Sequence, residues 1–90
     1  MKLLKFEAEW CGPCKTMNSI IKNLQSKNKI NIEITPVNID EAFDMVKYWK
    51  VTSVPTLILI KDENAEIATE IRRHTGVLKE TELIEFIKND

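Results

Sequence analysis

The chain has 90 residues, 43% hydrophobic and 30% charged, with 13 Lys and Arg against 14 Asp and Glu for a formal charge of −1. That length holds one domain and one core, residues 1–90, and the composition is that of a folded globular protein. There is no basic excess to hold nucleic acid, and the longest apolar run, Leu57 to Ile60, is too short to span a membrane.

At the N-terminus, charge returns at Lys5 and Glu7 before a signal-peptide core can form, which points to the cytoplasm. Leu3 to Ala8 alternates and reads as a strand ending near Trp10-Cys11. From Pro13, the spacing of Met17, Ile20, Ile21 and Leu24 predicts a helix to about Ser26. Ile30, Ile32, Ile34, Val37 and Ile39 are β-branched and largely alternating, a second strand. Asp40 is a candidate N-cap for a helix through Ala42, Phe43, Val46 and Trp49 to about Lys50.

Thr52-Ser53-Val54-Pro55 breaks the chain, and Thr56 to Ile60 reads as a buried strand. Asp62-Glu63-Asn64 reads as a turn, and Glu66 to Arg73 as a half-exposed antiparallel edge strand. Gly76 breaks again before a last helix with the stripe Leu83, Ile84, Phe86 and Ile87. The order is βαβαββα. A strand–helix–strand crossover makes the first two strands parallel, and the short turn makes the last two antiparallel. The expected fold is an α/β sandwich: a four-stranded mixed sheet flanked by three helices, with the cysteines at a carboxyl edge of the sheet, where such folds place their chemistry.

Two cysteines are too few for a disulfide-stapled scaffold, and a close pair in a reducing compartment points to catalysis or metal binding. Cys11 and Cys14 lie three residues apart at a helix start, where Cβ atoms are about 5–6 Å apart on one face. A disulfide can therefore open and close there without moving the fold. Pro13 suits a first turn. The unpaired first-turn N–H groups and the helix dipole stabilise a Cys11 thiolate, leaving Cys14 as the resolving thiol. Half a zinc site is the other reading of the pair, but only His74 remains as a further N/S ligand.

Trp10-Cys11-Gly12-Pro13-Cys14-Lys15 after a strand, followed by Val54-Pro55-Thr56, resembles thioredoxin. Asn38-Ile39-Asp40 and Gly76 fall at matching places, and the resemblance covers nearly the whole chain, without that family's usual first strand and helix. The resemblance implies a cis Pro55 set against the cysteines, and a Val54 backbone that pairs with an extended substrate segment. It also implies a docking patch of Trp10, Gly12, Pro13, Val54, Pro55 and Gly76 around Cys11.

Some positions depart from the family. Lys5 stands where the family buries an aspartate that assists proton transfer, Glu7 stands in place of a tryptophan, and Pro36 in place of a lysine. Lys5 and Glu7 share a strand face. Either both are solvated, or Glu7 takes over proton transfer with Lys5 as its counter-charge, tuning the electrostatics of the thiols. Ser19 replaces a helix-kinking proline, which implies a straighter helix. Trp49 is expected in the core and His74 at an exposed strand end.

The resemblance thus implies a protein-disulfide reductase without organic cofactor. With the N-terminus pointing to the cytoplasm and no further metal ligands beside His74, the expectation is a cytoplasmic monomer without metal. It would cycle between a Cys11/Cys14 dithiol and disulfide, act on disulfide-containing proteins, and be recycled by a flavin- and NADPH-dependent thioredoxin reductase. A glutaredoxin-like enzyme recycled by glutathione and a non-catalytic binding subunit are the alternatives. No Gly-Gly-x-Asp tract follows Gly76 to support the first.

Overall fold

A computed structural model describes residues 1–64 and 67–88. Its elements are β1 Lys2–Glu7, α1 Gly12–Ser26, β2 Glu33–Asn38, α2 Phe43–Trp49, β3 Thr56–Asn64, β4 Ile67–Thr75 and α3 Glu80–Lys88. The sheet order is β2-β1-β3-β4. β1 runs parallel to β2, antiparallel to β3, and β3 is antiparallel to β4. The expected βαβαββα order and mixed sheet are both present.

Side-chain alternation along β1 divides the core in two. Leu3, Leu57 and Leu59 face α1 and α3, packing against Met17, Ile21, Leu24, Leu83 and Ile87. Leu4, Phe6, Ile58 and Ile60 face the other way, against Val37, Val51 and Trp49 of α2. Full burial of each such side chain stabilises the fold by about 1.5–3 kcal/mol. β3 is apolar on both faces because both layers need it, as its sequence suggested. α1 runs unbroken through Ser19. Among the described residues, no helix is long and apolar enough to cross a membrane.

Four local expectations are corrected. β2 begins at Glu33, and Ile30 is buried under α1 and α3 without joining the strand. α2 is capped at Ala42 with no side-chain cap bond, so Asp40 is not its N-cap. β3 continues to Asn64, because its pairing with β4 extends to Asn64 opposite Ile67, so Asp62 to Asn64 is strand rather than turn; Glu66 lies outside the described residues. His74, next to the last residue of β4, is half-buried rather than exposed, with its ring edge-on to Phe86 at 6.5 Å between centroids. Pro36 sits opposite Lys5 on edge strand β2, where a residue lacking an N–H is tolerated.

Candidate active site

The turn after β1 is closed by the Cys11 N–H donating to the Ala8 carbonyl at 3.2 Å. Cys11 then takes an extended conformation and caps α1, its Sγ accepting from the Cys14 N–H at 3.1 Å. A sulfur thus fills the place that Ser or Asp usually takes at a helix start. The helix begins at Gly12, one residue earlier than Pro13. Cys11 and Cys14 are joined as a disulfide with Cα atoms 5.2 Å apart, inside the usual window of about 4.4–6.8 Å. Both are buried, packed with Ala8, Ile39 and Val54.

Access to the pair comes past Gly12 and Pro13, which are exposed. A Cβ at Gly12 would meet nothing within 4 Å. The Gly12 side is therefore open to an approaching molecule. Trp10 beside it is 68% exposed, its indole Nε1 donating to Asp40 Oδ2 at 2.8 Å.

The opposite rim is the loop before β3. The Val54–Pro55 bond is cis, as the resemblance implied. Thr56, almost fully buried, donates from Oγ1 to the Ser53 carbonyl at 2.7 Å, closing that loop. The Pro55 carbonyl accepts from the Gly76 N–H at 2.9 Å, and Gly76 has φ +102°, a conformation suited to glycine. One hydrogen bond therefore joins Pro55 and Gly76, which are far apart in sequence. Val54 packs on the cysteines themselves.

Behind the disulfide, a cavity of about 520 Å³ is lined by Glu7, Ala8, Glu9, Cys14, Lys15, Asn18 and Asn38. Glu7 Oε1 is shut off from solvent and accepts no hydrogen bond. Lys5 Nζ lies 3.2 Å from it, close enough for an ion pair but not aligned as a hydrogen bond. The Lys5 ammonium also donates to Asn18 Oδ1 of α1. The Lys5 and Glu7 side chains are 14% and 25% exposed, so the reading of both as solvated is overturned. They face α1, which covers them.

All of the docking and thiol positions named from sequence gather at this one edge of the sheet. Two contributors were missed. Asp40 has the chemistry of a helix cap and bonds Trp10 instead, and Asn18 belongs to no motif, although its spacing of four residues from Cys14 puts it on the same helix face. Among the described residues, no three His, Cys, Asp or Glu side chains cluster to hold a metal ion.

The family model described as Thioredoxin matches residues 1–89. A thioredoxin of Chlamydia pneumoniae is 39% identical over 87 residues, covering 97% of this chain and 78% of the relative. A thioredoxin of Pseudomonas aeruginosa is 34% identical, covering 94% of this chain and 74% of the relative. Among solved structures, thioredoxin-2 of a malaria parasite superposes with a TM-score of 0.83 at 27% identity, over 99% of this chain and 82% of the other. Fasciola hepatica thioredoxin gives 0.77 at 31% identity, over 96% and 76%. The chain belongs to the thioredoxin family and is a thiol–disulfide oxidoreductase, an enzyme that reduces disulfide bonds.

Proposed function

We propose that this chain, folded as one domain, reduces disulfides of cytoplasmic proteins as a monomer, with Cys11 as nucleophile and Cys14 as resolving thiol. The Cys11 thiolate attacks one substrate sulfur, and the other substrate sulfur leaves as a thiolate. Cys14 then gives up its proton and attacks Cys11 Sγ. The Cys11–substrate bond breaks, the second substrate thiolate leaves, and two electrons have passed to the substrate. A flavin- and NADPH-dependent thioredoxin reductase restores the dithiol, placing the chain in cellular electron transport and redox homeostasis.

The observation that carries this reading is the bond from the Cys14 N–H to Cys11 Sγ at a helix N-terminus. The same donor that meets the sulfur of the disulfide is placed to meet a Cys11 thiolate, with the helix dipole adding to it. Trp10, Gly12, Pro13, Val54, Pro55 and Gly76 form the docking rim, and the Val54 backbone is placed to pair with an extended substrate segment. Glu7 accepts the Cys14 proton across the cavity that both line, with Lys5 as its counter-charge.

The test is reduction of a model protein disulfide with NADPH plus thioredoxin reductase, or with NADPH, glutathione and its reductase, as competing donors. Turnover with the first donor system, lost in Cys11→Ser, is expected. Turnover with glutathione alone would move the assignment to a glutaredoxin-like cycle, and silence with both donors and with dithiothreitol to a binding subunit. Cys14→Ser should accumulate the mixed disulfide, visible by mass.

A further inference from the structure

Two cavities lie between α1 and the β1/β2 side of the sheet. The larger reaches Cys14 and Glu7. The smaller, about 270 Å³, is lined by Lys5, Asn18, Ile34 and Pro36 among others, Lys22 included. Asn18 is the residue common to both, so it links the Lys5 side of the smaller cavity to the space beside the resolving thiol. Its Oδ1 accepts from the Lys5 ammonium.

We propose that Asn18 is a positioning residue for the dithiol: it holds the Lys5 ammonium at the edge of Glu7 and out of the Cys14 cavity, and so sets the balance between dithiol and disulfide. This deepens the reading above and rests on its Cys11/Cys14 cycle. An ammonium has three N–H donors and no acceptor, and Lys5 is mostly buried, so each donor that loses its partner is costly. With the Asn18 acceptor gone, the ammonium keeps the Glu7 carboxylate beside it at 3.2 Å, and that carboxylate lines the Cys14 cavity. The ammonium follows it there. A cation beside a thiol favours the thiolate and therefore the reduced pair. The remaining charges around the two cavities, Glu9, Lys15 and Lys22, are exposed, and Glu41 stands exposed on the far side of Glu7. Water screens all four.

The measurement is the equilibrium of the full chain with dithiothreitol, read by alkylation and mass. Asn18→Ala is expected to shift it at least threefold toward dithiol, about 14 mV for a two-electron couple. In a Lys5→Met background the same substitution should shift it less than 1.5-fold. A second readout is the pH profile of Cys14 alkylation in Cys11→Ser, which Asn18→Ala should move to lower pH. If Asn18→Ala does not fold, Asn18→Ser keeps a polar group while losing the reach to Lys5 and carries the same expectations. No shift, or an equal shift with and without Lys5, overturns the proposal. No protein substrate enters this equilibrium, so it can fail while Cys11→Ser still abolishes substrate reduction, or hold when it does not.

Discussion

Trp10 and Asp40 are thirty residues apart in sequence and joined by one hydrogen bond of 2.8 Å. That bond fixes an otherwise exposed indole beside the cysteines and ties the turn after β1 to the loop after β2. Asp40 is itself held, its N–H donating to Asn38 Oδ1 at 2.9 Å.

Asp40→Ala frees the indole. An exposed hydrogen bond of this kind contributes about 0.5–1.5 kcal/mol, so kcat/KM for a protein disulfide should fall by a few-fold, up to about tenfold. Reduction of a small aliphatic disulfide, which does not reach Trp10, should stay within about twofold, a few tenths of a kcal/mol. Asp40→Asn keeps an acceptor and should behave nearly as the parent. Equal losses on both substrates would show that Asp40 acts on the cysteines rather than on docking.

Gly76→Ala separates backbone strain from sterics. A Cβ there would come no nearer than 4.0 Å to His74 Nε2, so space is available, but φ is +102°. Holding a non-glycine residue in such a conformation costs about 1–3 kcal/mol. Urea unfolding should show a loss of that size, together with slower reduction of protein disulfides as the Gly76–Pro55 bond is distorted. Unchanged stability would mean that the loop relaxes to negative φ.

Glu70 and Arg73 give a pH signature away from the site. The Arg73 guanidinium holds the Glu70 carboxyl below its ordinary value of 4.5, chiefly through its hydrogen bonds, against a smaller opposing effect of burial, with its charge adding the least. A lowered folded value means that the pair stabilises the native state above the ordinary carboxylate range, and that this is lost as pH falls through the folded value. The pair is about a third exposed, so its worth is about 0.2–1 kcal/mol. Glu70→Gln should be less stable than the parent by that amount at pH 7 and equal to it in strong acid. Arg73→Ala should cost more and keep a deficit in acid, because Arg73 also donates to the Trp49 carbonyl at 3.0 Å.

Much of this was legible in the chain. The spacing of Met17, Ile21 and Leu24 is one helix face, and those residues form one face of the core. The two-sided apolarity of Leu57 to Ile60 belongs to an interior strand covered on both faces. Cys11, Gly12, Pro13 and Cys14 announced a redox turn because four adjacent residues carry the whole local geometry.

What failed was local reasoning about polar groups with several possible partners. Asp40 has the chemistry of an N-cap, but its carboxylate bonds Trp10, and α2 starts later without a side-chain cap. Lys5 and Glu7 on one strand face allowed either solvation or pairing; α1 decided it by covering them and offering Asn18. Apolar periodicity and turn chemistry act within a few residues, and the sequence by itself therefore determined the elements, their order and the cysteine pair. Only the tertiary structure decided which carboxylate meets which donor and what stands behind Cys14, because those contacts join residues from separate elements whose approach depends on the packing of the entire sheet.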